Sequence, residues 1–149
     1  MRATRFIPPI EQVICLLQEL RYVKPSSEIN AIQSGYLGEI EQVNVILSFI
    51  IDHPTSLYVY DPVFGDNGAL YVDSLIAEKS KSTLLPLATI TTPNMFELAF
   101  LSQTDVSDID SAIKASKIIQ SKGPKWVLST GIFLAENEIA DILVTPNDV

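Results

Sequence analysis

Apolar positions recur along this chain in two alternating rhythms. Ile10, Val13, Ile14, Leu17 and Leu20 follow helical spacing just after Pro8-Pro9. Proline suits a first helical turn, where its missing N–H has no partner to lose. The spacing predicts a helix that stops near Pro25, in the polar stretch KPSSE. Residues 29–34 read as a short strand by position, and Gly35 and Gly38 flank a turn at Tyr36-Leu37. Helical spacing returns over residues 39–51, through Ile40, Val43, Ile46, Leu47 and Ile50, and ends at Asp52-His53-Pro54. Leu57-Tyr58-Val59-Tyr60 is a continuous β-favouring run that reads as a buried strand.

The same alternation continues beyond it. The loop DPVFGDNG (residues 61–68) leads to Leu70-Tyr71-Val72. Asp73 or Ser74 can cap a helix carrying Leu75 and Ile76 towards Leu84 and Leu85, and Pro86 closes it. Residues 88–91 form a second short buried strand, and TPNMFE opens a helix running to about Leu101. A polar loop at 102–107 precedes a helix marked by Ile109, Ala112, Ile113, Ala115, Ile118 and Ile119, which ends near Gly123-Pro124. Residues 126–129 read as a third buried strand ended by Thr130-Gly131, and residues 139–145 as a last strand. Helices alternating with strands at this spacing predict an α/β fold, a mainly parallel sheet with helices on both faces. No internal repeat or linker divides residues 1–149, so they read as a single unit.

Composition narrows the function classes. The chain is 47% hydrophobic with a mean hydropathy of +0.26, yet no run approaches the ~18 apolar residues of a membrane helix. Strands buried on both faces account for that apolarity. A net charge of −8 argues against a nucleic-acid partner, which calls for a basic surface. Anionic ligands remain open, because backbone N–H groups or a bound cation can hold phosphate. Cys15 is the single cysteine; its neighbours Ile14, Leu16 and Leu17 suggest a buried, inert thiol. The N-terminus lacks an apolar signal-peptide core, so the expected setting is reducing and cytoplasmic.

The candidate chemistry sits where predicted strands end. Asp61 and Asp66 follow one strand on a loop with two glycines, Gly65 and Gly68. Ligands of parallel α/β sheets bind beyond the carboxyl ends of the strands. Two carboxylates near phosphate oxygens can hold Mg²⁺, usually through waters; Asp66-Asn67-Gly68 is equally good turn chemistry. Asn94 and Glu97 have capping-box spacing, and a helix start that is capped also attracts phosphate. Ser129-Thr130-Gly131 puts two hydroxyls and a glycine at a strand end. Tyr36 and Tyr71 can stack on a planar ring or simply pack. His53, beside Pro54, reads as a surface loop residue, and Asp105, Asp108 and Asp110 as a solvated loop and helix start.

Taken together, SGYLG, DPVFGDNG followed by LYV, and LLPLATITTPNMFE, in this order and spacing, closely resemble the pyridoxal kinases of the ribokinase-like superfamily. The related hydroxymethylpyrimidine kinases share the DPV and TPN elements. The resemblance runs from about Pro8 to the C-terminus and implies a ribokinase-like fold, incomplete at both ends. It implies transfer of the γ-phosphate of ATP to the 5′-hydroxyl of pyridoxal, pyridoxine or pyridoxamine. By motif, Asp66 would serve Mg²⁺ and the ATP phosphates, and Glu97 would reach Mg²⁺ through water. Asn94, Glu97, Ser129 and Thr130 would bind ATP. Asp61, Thr92 and Ser129 would share a monovalent cation, K⁺ or Na⁺, and Tyr36 and Tyr71 would line the vitamin pocket. A homodimer is the assembly the resemblance implies. The family's catalytic base lies on a G-x-G-D helix start, and no G-x-G-D follows Glu97. No catalytic base is therefore assigned, and these 149 residues are expected to be a partial kinase domain, weakly active or inactive alone. A non-catalytic binding protein and a hydroxymethylpyrimidine kinase are the alternatives.

Overall fold

The computed structural model describes residues 7–23, 28–133 and 138–147. Helix α1 (Ile10–Val23) precedes strand β1 (Ala31–Ser34), and α2 (Ile40–Ile51) leads to β2 (Leu57–Tyr60). A small hairpin, β3 (Gly65–Asp66) and β4 (Ala69–Leu70), comes next, then α3 (Ser74–Thr83) and a 3₁₀ turn at Leu85–Leu87. Strand β5 (Ile90–Thr91), helices α4 (Met95–Ser102) and α5 (Ile109–Gln120), and strands β6 (Trp126–Phe133) and β7 (Ile139–Val144) complete the order.

The main sheet runs β1-β2-β5-β6-β7. The first four strands are parallel; β7 pairs antiparallel with β6. Each parallel crossover advances to the neighbouring strand without reversing. Right-handed crossovers in one direction put every connecting helix on the same side. The burial pattern follows. Tyr58, Tyr60, Thr91, Val127 and Ser129 point into the core formed with α2 to α5. The alternate positions, Leu57, Val59, Ile90, Trp126, Leu128 and Leu143, are only partly covered, with Leu57 51% and Leu143 47% exposed. The sequence predicts helices on both faces; among the described residues the connecting helices cover one.

Three local expectations change. Cys15 is exposed, because α1 packs sideways on α2 and Cys15 lies off its contact face. His53 is buried instead of lying on the surface: its Nδ1 is 2.6 Å from the Phe49 carbonyl oxygen and its ring stacks on Phe49. Strand β6 does not stop at Thr130-Gly131. It continues to Phe133 through a register shift between Ser129 and Ile132, where Gly131 has φ +64°. That left-handed backbone is what glycine supplies at a bulge.

Candidate functional site

The C-terminal edge of the parallel strands collects the predicted residues. Tyr36 follows β1, Asp61 follows β2, Thr92 follows β5, and Ser129 and Thr130 lie in β6. Parallel pairing brings these ends side by side in that order. Asp61 N–H donates to the Ser34 carbonyl at 2.9 Å, and the Thr92 hydroxyl donates to Asp61 Oδ1 at 3.1 Å. Thr130 N–H donates to the Pro93 carbonyl at 2.9 Å, next to a parallel bridge between Asn94 and Thr130.

The loop after Asp61 is more ordered than a polar turn. Asn67 (φ +48°) and Gly68 (φ +77°) make the two-residue connection of the β3–β4 hairpin. Positive φ at both central residues is the type I′ arrangement that matches strand twist, and Asn-Gly is its preferred pair. Asp66 stands at the start of this turn. Its two carboxylate oxygens accept from the Asn67 backbone N–H at 2.7 Å and the Asn67 amide at 3.1 Å.

Helix α4 clamps the hairpin. Asn94 Oδ1 accepts from Glu97 N–H at 2.9 Å, and Glu97 Oε2 accepts from Asn94 N–H at 3.1 Å, closing a capping box. The same two side chains reach across the site. Glu97 Oε1 accepts from Phe64 N–H (3.1 Å) and Gly65 N–H (3.3 Å), while the Asn94 amide donates to the Gly65 carbonyl at 2.8 Å. Glu97 is 3% exposed. Burial pushes its carboxyl up to about 7 against the pull of those three N–H donors, and the charge on Asp61 adds to the rise. A side chain at Gly65 is excluded: its Cβ would meet the Phe96 ring, 2.7 Å from Cδ1, and the Ala69 carbonyl oxygen at 2.8 Å. An open groove of about 290 Å³ runs beside this clamp, bordered by Asp66, Asn67, Phe96, Ala99, Val106 and Phe133.

The remaining predicted residues are placed less directly. The Ser129 hydroxyl is fully buried and lies 2.8 Å from the Ser116 hydroxyl of α5, so it is committed to the core side of β6. Thr130, half-buried, points to the alternate side. Tyr36 is half-buried in the loop after β1, and Tyr71, just past the hairpin, is 43% exposed. No cluster of three or more His, Cys, Asp or Glu side chains occurs among the described residues. A Mg²⁺ ion held mainly by water and ligand oxygens needs no such cage. Asp66 fits that use, since an amide on each oxygen leaves further lone pairs; both Glu97 oxygens already take N–H donors, which suits contact through water. Gly131 reads from the sequence as a strand end and not as a bulge inside a longer strand, and Asp141 was missed. The glycine inside a strand was the one available signal for the bulge; nothing marked Asp141, whose Oδ1 accepts from Gly131 N–H at 2.9 Å.

Comparison with known proteins bears on the fold and the family. A pyridoxine/pyridoxal/pyridoxamine kinase of Bordetella avium is 38% identical over 119 residues, covering 76% of this chain and 40% of that protein. The structure of Entamoeba histolytica pyridoxal kinase superposes with a TM-score of 0.85 at 25% identity, covering 97% of this chain and 55% of that one. The ADP complex of Bacillus subtilis pyridoxal kinase gives a TM-score of 0.81 at 25% identity, covering 95% and 53%. The chain thus spans about half the length of the relatives it matches. The profile of the phosphomethylpyrimidine kinase family matches residues 7–149, so the chain belongs to that family.

Proposed function

We propose that this chain is part of a pyridoxal kinase, which moves the γ-phosphate of ATP to the 5′-hydroxyl of pyridoxal, pyridoxine or pyridoxamine. The observation that carries the reading is the clamp: Asn94 and Glu97 fix the Asp66 hairpin over the first turn of α4, beside the Asp61–Thr92 pair. Phosphoryl transfer needs positioning and charge neutralisation more than covalent help from the protein. A helix N-terminus supplies oriented N–H dipoles for phosphate. The names of the relatives supply the substrate class.

In this reading Asp66 holds Mg²⁺, with Glu97 contacting it through water. Bound Mg²⁺ would neutralise charge on the ATP phosphates. Asn94, Glu97 and Thr130 face the nucleotide; Ser129, whose hydroxyl is tied to Ser116, contributes through its main chain. Asp61 and Thr92 offer a carboxylate and a hydroxyl to K⁺ or Na⁺, with Ser129 behind them. Tyr36 and Tyr71 border the vitamin. Residues 1–149 form one portion of a kinase domain, in keeping with their coverage of the relatives. A reducing cytoplasm suits a chain with an exposed cysteine. The exposed apolar residues Leu16, Leu20 and Tyr22 on α1 favour a homodimer.

No G-x-G-D base segment occurs in the sequence, so the 149 residues alone are expected to turn over weakly or not at all. The test is an assay of the 149-residue chain and of a version extended to the relatives' length, with ATP, Mg²⁺, K⁺ and either pyridoxal or hydroxymethylpyrimidine. Pyridoxal phosphate from the extended form supports the proposal. Phosphorylation of hydroxymethylpyrimidine alone would favour the second reading, which the family profile itself suggests. Nucleotide binding without transfer to either alcohol would make this a non-catalytic binding protein.

A further inference from the structure

The bulge in β6 sits where the sheet meets the first turn of α4. Ser129 stays in register with Ile142, pairing resumes at Ile132 with Ala140, and Thr130 and Gly131 lie between. Thr130 is joined to the α4 side through its N–H to the Pro93 carbonyl and its bridge to Asn94. Gly131 is held from the opposite side by Asp141 of β7, through an N–H···Oδ1 bond of 2.9 Å. A Cβ at Gly131 would meet nothing within 4 Å, so φ +64° rather than crowding is what favours glycine there. One side chain from the antiparallel strand thus holds a left-handed backbone turn whose other shoulder carries Thr130.

We propose that Asp141 is a positioning residue: by accepting the Gly131 N–H it fixes the bulge that sets Thr130 against the start of α4, and so shapes the nucleotide contact. The proposal rests on the reading of Thr130 as a nucleotide contact. Asp141 acts through the backbone and need not touch the ligand. The function of the bond depends on an acceptor oxygen, not on negative charge, so an amide in its place keeps the device.

The experiment compares Asp141→Ala and Asp141→Asn with the unaltered protein at full length. It titrates Mg²⁺ with a non-hydrolysable ATP analogue, follows amide exchange at Gly131, and measures KM for pyridoxal. Asp141→Ala is expected to weaken analogue binding about fivefold, speed Gly131 exchange and leave the pyridoxal KM within about twofold. Asp141→Asn is expected to bind like the unaltered protein. Analogue binding unchanged in Asp141→Ala overturns the proposal, as does an equal loss in Asp141→Asn. If the unaltered protein binds the analogue but phosphorylates no vitamer, the kinase reading falls and the positioning role stands on the binding data. If it binds no nucleotide, both fall.

Discussion

Two helices in this molecule begin with the same device and use it differently. At α4, Asn94 and Glu97 exchange side-chain and backbone hydrogen bonds; at α5, Asp108 and Ser111 do the same. At α5 the bonds are local: Ser111 N–H donates to Asp108 Oδ1 at 2.8 Å, and Ser111 Oγ accepts from the N–H groups of Asp108 and Ser107. At α4 the capping carboxylate is buried and also takes the N–H groups of Phe64 and Gly65, about thirty residues away in sequence. A capping box therefore announces a helix start in both places. Only its surroundings turn one of them into the anchor of a loop distant in sequence.

The largest expected effect tests that difference directly. Glu97→Ala leaves three N–H groups without their acceptor in a buried setting, and should cost about 3 kcal/mol. For a domain of this size that is a fall in Tm of about 10 °C. The same variant should free the hairpin, seen as faster amide exchange at Phe64 and Gly65. Glu97→Gln should fall between, because an amide nitrogen now faces N–H donors on one side. A thermal melt showing no more than a small change for Glu97→Ala would break the contrast.

The two caps also carry opposite pH dependences. Burial raises the Glu97 carboxyl from 4.5 to about 7. A group with a raised folded value binds its proton more tightly in the folded state. Its contribution is greatest below 4.5 and is lost as the pH rises through about 7. Hydrogen bonds from Ser111 hold the Asp108 carboxyl below its usual 3.8. Its contribution is present above 3.8 and is lost as the pH falls through the lower folded value. Melts of the chain with divalent metal removed should therefore lose stability between pH 4.5 and 7, and Glu97→Gln should abolish that slope. A slope that survives Glu97→Gln would assign it to another group.

How much of this was legible in the sequence depends on how local the cause is. Residues 57–60 declared their strand completely, since an unbroken β-favouring run needs no partner to be recognised. Asn94 and Glu97 gave the helix start because capping acts within one turn. The hairpin at Asp66 was half legible: Asn67-Gly68 signalled a turn, but the type I′ twist belongs to strands only two residues long. His53 misled because its burial comes from Phe49, one helical turn earlier, and not from its own loop. Long-range choices were hidden. The hold of Glu97 on Phe64 and Gly65, the Ser116–Ser129 hydroxyl pair and the Asp141–Gly131 bond each join segments whose spacing has no period. The partly covered sheet face was hidden for another reason. Alternation of helix and strand gives the crossovers, while the side they occupy depends on strand order, which apolar rhythm does not encode.

The smallest expected effect sharpens the comparison from the other side. Asp108→Ala removes an exposed cap whose bonds all end within its own turn, and water can replace the lost acceptor. The melt should shift by clearly less than in Glu97→Ala, and exchange at Phe64 and Gly65 should stay as in the unaltered chain. Nucleotide binding should also be unchanged, because the hydrogen bonds that Asp108 makes with Ser111 are local to the start of α5. If Asp108→Ala loosened the hairpin as Glu97→Ala does, the two caps would be coupled through the α4–α5 contact. The anchor would then be the whole helix pair rather than one buried carboxylate.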